Sequence, residues 1–184
     1  MAYTTPATWV AAAIVTAAQL NQEVRDNITD LNTRVGSGFA QYIPLSVATD
    51  ITKSDSAYST VTGLSFACVS GKSYNINLVL SYECAGTSTG LSVAFDHPGG
   101  TARAYVEIHG VASAAGHTDE HLTTSDTSTG TSGVNSSGTI YLIDWIGRYT
   151  CSANGTFSIR YARNGVSTNV TIHAGSGGLV IATA

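Results

Sequence analysis

Charge is scarce in this sequence. Only 11% of its 184 residues are charged, against roughly 25% in ordinary soluble proteins. Lysine occurs twice, at Lys53 and Lys72. The solvent-facing surface must therefore be built largely from Ser, Thr, Asn and Gly. Such a neutral, hydroxyl-rich surface repels its own copies weakly and suits close homotypic packing. The net charge is −4 and Lys and Arg nowhere cluster, which argues against a nucleic-acid partner, because phosphate contacts need grouped cations. Long apolar runs are missing too. The longest, Trp9 to Val15, is too short to span a bilayer, and Met1 to Thr16 has neither the basic stretch nor the continuous apolar core of a signal peptide. The expectation is a chain made in a cytoplasm with no membrane-embedded part.

Recognisable chemistry is equally sparse. There is no phosphate-binding loop or paired-cysteine zinc motif, and the few carboxylates are too scattered to suggest a glycosidase pair. Three cysteines, Cys68, Cys84 and Cys151, cannot all pair with one another. Each lies in an apolar or strand-like stretch and is expected to be a buried free thiol; nothing in the spacing demands a Cys68–Cys84 bridge. His117-Thr118-Asp119-Glu120-His121 is the one metal-like cluster. Two histidines four apart share a face only on a helix, and this segment sits in a β context before a Ser/Thr-rich stretch, so it reads as a solvated turn. Asn-x-Ser/Thr sequons at Asn27, Asn135, Asn154 and Asn169 are expected by chance in so hydroxyl-rich a chain. No catalytic residue, metal or cofactor is implied.

What is present divides into two parts, residues 1–38 and 39–184. In the first, Thr16-Ala17-Ala18-Gln19 is a capping box, with Val15 and Leu20 as its hydrophobic staple. Leu20, Val24, Ile28, Leu31 and Val35 then recur at spacings of three and four, giving one apolar stripe on an amphipathic helix, which Gly36-Ser37-Gly38 ends. Gln22, Glu23, Arg25, Asp26, Asn32 and Thr33 form the polar side. Such a stripe packs either on the chain's own β part or, as a short coiled coil or clamp, on a partner. Its narrowness beside a glycine hinge favours the partner.

After Gly38 the period becomes two. Ile76, Leu78, Leu80 and Tyr82 share one face of a strand opposite Asn75, Asn77 and Ser81. Leu91, Val93 and Phe95 alternate likewise, as do Phe157, Ile159 and Tyr161, and Val170 and Ile172. Glycine-containing turns separate these runs. Eight or nine strands and no second helix predict a mainly β chain, an antiparallel β-sandwich or jelly roll. Two strands are apolar on both faces. In one, Ile140, Leu142 and Ile146 oppose Tyr141, Ile143 and Trp145; the other is Leu179 to Ala182. A doubly apolar strand needs a second packing partner, either a loop or a neighbouring subunit, and Tyr141, Ile143 and Trp145 are the candidate subunit contacts. Thr123 to Thr139, rich in Thr, Ser, Gly and Asn, is predicted to be an exposed loop.

Two stretches resemble a known family. Tyr3-Thr4-Thr5-Pro6-Ala7-Thr8-Trp9, with Ile14-Val15-Thr16-Ala17-Ala18-Gln19-Leu20-Asn21 and Arg25-Asp26-Asn27, resembles the start of many tailed-bacteriophage virion proteins, departing from them at Ala11-Ala12-Ala13. Thr62-Gly63-Leu64-Ser65-Phe66, Gly71-Lys72-Ser73-Tyr74, Asn154 to Ala162 and Val170 to Ser176 resemble the β domain that often follows. The resemblance implies a non-enzymatic virion structural protein of decoration, spike or tail-fibre type. It would be homotrimeric, joined to capsid or tail proteins through its N-terminal segment, and made in the bacterial host cytoplasm. The rival reading is a receptor- or glycan-binding module using Tyr105, Tyr141, Trp145 and Tyr149. An enzyme such as a depolymerase is the third class.

Overall fold

The computed structural model describes Gln22 and residues 24–29, 41–112, 116–123, 128–165 and 168–183. Two units result, and Gln41–Thr183 forms the larger. In the other, Gln22 and residues 24–29 are helical, and the Thr29 hydroxyl donates to the Arg25 carbonyl one turn back at 2.8 Å, a bond available to threonine in a helix. The capping box, Leu20, Leu31, Val35 and the glycine stop lie outside the described residues.

The described residues of Gln41–Thr183 form twelve strands. They are β1 (Gln41–Ser46), β2 (Ile51–Lys53), β3 (Ser59–Cys68), β4 (Ser73–Cys84), β5 (Thr89–Asp96) and β6 (Gly100–His109), followed by β7 (His117–Leu122), β8 (Thr129–Gly130), β9 (Ile140–Cys151), β10 (Gly155–Gly165), β11 (Val170–Ile172) and β12 (Gly177–Thr183). All their pairings are antiparallel. Eight strands pair from the outside of the sequence inward: β1 with β12, β3 with β10, β4 with β9, and β5 with β8. Two lateral pairings, β12 with β4 and β10 with β5, close these ladders into sheets ordered β1-β12-β4-β9 and β3-β10-β5-β8. This is the wrapping of a jelly roll. The hairpin β6–β7 widens the first sheet beyond β9, while β11 bridges β2 to the far end of β4.

Alternation in the sequence sets the core. Along β4, Tyr74, Ile76, Leu78, Leu80, Tyr82 and Cys84 are buried, because successive side chains take opposite faces. They meet Leu91, Val93 and Phe95 of β5 and Phe157, Ile159 and Tyr161 of β10 in one cluster. Each such side chain stabilises by roughly 1.5–3 kcal/mol. Aromatic rings fill one end: Phe66 stacks on Phe157 at 5.2 Å, and Phe95 meets Trp145 edge-on at 6.2 Å. Two buried tyrosine hydroxyls are satisfied by backbone, Tyr149 donating to Gly99 O and Tyr82 to His109 O, each at 2.6 Å, as buried phenols require. One irregularity interrupts β3. Its register against β10 shifts between Ser158 and Arg160, and Gly63 takes φ +91° in the bulge, a backbone that glycine adopts without strain.

Two expectations are corrected here. His117-Thr118-Asp119-Glu120-His121 is not a turn but most of β7, paired along β6 from His109↔His117 to Ala104↔Leu122. The Thr123 to Thr139 stretch is not simply exposed: residues 124–127 lie outside the described residues, but Thr129, Thr131 and Val134 are buried. Main-chain pairing holds this stretch against the rest of the chain, and the Thr131 hydroxyl donates to the Gly133 carbonyl. Gly130 pairs with Ser92, Thr131 N donates to Leu91 O at 2.9 Å, and Val134 N donates to Thr87 O at 3.0 Å.

Candidate functional site

The larger sheet turns one face to the core and the other to solvent. On the solvent side, Val79, Ile140, Leu142 and Ile146 are 43–58% exposed, Tyr42 is 65% exposed and Tyr105 is 36% exposed. Leu179 and Ile181 of β12 are half-buried beside them. Gly177 stands beside Val79 in the β12–β4 register, and with Leu179, Ile181 and Ile146 it lines a shallow apolar groove of about 560 Å³.

The register settles the doubly apolar strand. Ile143 and Trp145 of β9 are fully buried in the chain's own core, and Tyr141 is half-buried on the same side, its ring 5.9 Å from Tyr82. The second packing partner of β9 is therefore the other sheet of the same chain. The assignment of Tyr141, Ile143 and Trp145 to a subunit contact is thus corrected: the accessible apolar side chains are Ile140, Leu142 and Ile146, one residue out of phase. The same geometry thins the aromatic set proposed for glycan binding. Trp145 and Tyr149 are core residues, and Tyr141 is tied by its hydroxyl to Ser136 N at 2.9 Å. Tyr105 alone reaches the outer surface, with its ring set edge-on to His121 at 5.6 Å. In the helix, Val24 and Ile28, one turn apart, are 49% and 53% exposed.

Charge on the outer face is arranged by register, which no local sequence pattern reveals. Arg103 of β6 stands directly opposite Arg148 of β9, and Glu107 directly opposite Asp144. Both arginines are exposed, and neither has an ion-pair partner among the described residues. The two carboxylates share one histidine: His109 Nε2 lies 3.1 Å from Asp144 Oδ2 and 3.8 Å from Glu107 Oε1. A second group joins loops at the sheet's end, where His173 lies 3.3 Å from Asp50 and 3.7 Å from Glu83. Ala174 N donates to Asp50 at 2.8 Å. That backbone bond, followed by the one from His173, holds the Asp50 carboxyl below its ordinary value. Among the described residues no three His, Cys, Asp or Glu side chains are grouped to hold a metal.

The thiols are buried and free, as expected. Burial, with the Glu83 charge adding to it, pushes Cys84 up to about 12, so the nucleophilic thiolate is suppressed near neutrality.

No protein family matches the sequence, and no curated protein is significantly similar to it. Among solved structures, the chain resembles a structure of the Gt strain of infectious bursal disease virus. There it is 12% identical, with 79% of this chain covering 41% of the other at a TM-score of 0.25. A VP2 subviral particle of the same virus gives 10% identity, 79% and 40% coverage, and a TM-score of 0.23. The chain thus spans about two fifths of those chains. Likeness this slight decides nothing about role, and the jelly roll rests on the strand pairing. No helix among the described residues is long and apolar enough to cross a membrane.

Proposed function

We propose that this chain is a non-enzymatic structural subunit of a bacteriophage virion, a decoration, spike or fibre-type homotrimer attached to capsid or tail through its N-terminal segment. The observation that carries the reading as an assembling subunit is the outer face of the larger sheet; the trimer rests on the sequence resemblance. A jelly roll, a fold shared by capsid and lectin domains, leaves large apolar side chains in solvent on a chain with only 11% charge. Contiguous exposed apolar side chains mark association surfaces. The N-terminal sequence resemblance supports placing the assembly on a virion, and Val24 and Ile28, exposed on one side of the helix, are available for the sister helices or virion protein that would order it. Subunit and anchor are tested separately. Sedimentation of the full chain at micromolar concentration should give a trimer mass, and a monomer overturns the trimer. Particles lacking the native subunit should be decorated by the full chain but not by one lacking residues 1–36. Equal decoration by both overturns the anchor.

A further inference from the structure

Like charges placed directly opposite one another weaken a β ladder, yet the outer face of β6 and β9 holds two such pairs of opposite sign. Arg103–Arg148 lies two residues to one side of the Tyr105–Ile146 pair, and Glu107–Asp144 lies two residues to the other. At about 3.4 Å per residue, each pair is about 7 Å from that centre. The sequence runs basic, apolar, acidic up one strand and down its antiparallel neighbour. Such a pattern complements itself in one orientation. A two-fold axis along the strands would set arginine on arginine. An axis across the strands, through Tyr105 and Ile146, sets both arginines of one copy over Glu107 and Asp144 of the other.

We infer that the outer face of the larger sheet docks a second copy of this chain about a two-fold axis crossing the strands at Tyr105 and Ile146. The contact is isologous, so each arginine–carboxylate match occurs twice. Tyr105 and Ile146 meet their own counterparts on the axis. Shape supports the same axis independently of charge. In the rows of the sheet, Ile181 lies level with Arg148 through Asn75, and Gly177 lies level with Asp144 through Val79. The axis therefore places Ile181 of each copy over Gly177 of the other, at the groove that Gly177, Leu179 and Ile181 line. Aligned sheets pack in this manner about 10 Å apart. The surface belongs to Gln41–Thr183 and needs neither the trimer nor the virion reading; if trimers form, it joins two of them.

The test uses charge reversal on the full chain. Mass photometry and sedimentation equilibrium should show the unit mass of the wild type doubling reversibly with concentration, less so at high salt. Whether the doubling unit is a trimer or a monomer reports on the trimer separately. Arg103→Glu with Arg148→Glu leaves both ends of the face acidic, and Glu107→Lys with Asp144→Lys leaves both ends basic. Each double variant should self-associate at least about tenfold more weakly, and an equimolar mixture of the two should recover the doubling. Circular dichroism and melting should match wild type; should a double variant melt early, Arg103→Glu and Glu107→Lys alone, mixed in the same way, read the same contact. A wild type that never doubles overturns the inference. So does a mixture that stays at unit mass, as binding of a small anion or a foreign protein at the arginines would leave it.

Discussion

On the smaller sheet, Ser92, Ala94, Ser158 and Ala162 point away from the core, and all are buried. On the larger sheet, Val79, Ile140, Leu142 and Ile146 also point away, yet remain in solvent. Hydrophobicity would order them the other way. The small side chains let the chain cover its own sheet. Tyr58 lies over that face, its hydroxyl 2.6 Å from Ser92 Oγ and the Arg160 guanidinium 6.0 Å from its ring centre. Arg160 also donates to the Tyr58 carbonyl at 3.0 Å. The larger sheet has apolar side chains and no comparable covering segment among the described residues. One sheet is thus completed within the chain, and the other presents what an assembly can use.

Adjacent residues of β9 give the largest contrast. Trp145→Asp should prevent Gln41–Thr183 from folding, because truncating a buried Trp alone costs about 3–5 kcal/mol and a buried, unpaired carboxylate adds to that. Ile146→Asp, one residue on, should leave the unfolding free energy within about 0.5 kcal/mol of wild type and abolish mass doubling. Thermal melts followed by circular dichroism separate them; equal loss of structure in both would show that the outer face is not free.

The smaller sheet breaks from its covered side. A Cβ at Gly90 would collide with the Thr131 carbonyl, so Gly90→Ala should push β8 and its flanking backbone off β5. The expected destabilisation is about 1–3 kcal/mol, the usual cost of overpacking, measured by urea unfolding. Tyr58→Phe removes only the hydroxyl facing Ser92 and should cost about 1 kcal/mol. Were it neutral, the cover would be held by Arg160 rather than by this bond.

How much of this was legible in the sequence follows from what each feature depends on. Period-two alternation names the core faces of β4, β5, β10 and β11 correctly, since face choice there needs only the strand itself. In β9 both faces are apolar, so alternation gives two sets but not their direction; Trp145 points inward because the other sheet lies there. The burial of Thr129 and Thr131 depends on backbone pairing with β5, which side-chain polarity does not report. Arg103 and Arg148 stand 45 positions apart in the sequence, and only the β6–β9 register makes them neighbours. His117 to His121 read as a turn because an edge strand with a polar face lacks the apolar alternation that marks a buried one.

The smallest effect concerns the loops at one end of the larger sheet. Asp50 precedes β2 and accepts hydrogen bonds from Ala174 N and His173 between β11 and β12. Its folded-state pKa is lowered from the ordinary 3.8 by those two bonds. A carboxyl with a lowered folded value contributes stability that is present above the unfolded value and is lost as pH falls through the folded one. Asp50→Ala should therefore melt slightly below wild type at pH 6, and the gap should close as both are acidified below about 3.8. Because the carboxyl is solvent-exposed, the gap should be small beside that of Tyr58→Phe. A difference that persists undiminished at pH 2 would mean that the lost packing of the loop, and not its charge, sets the effect.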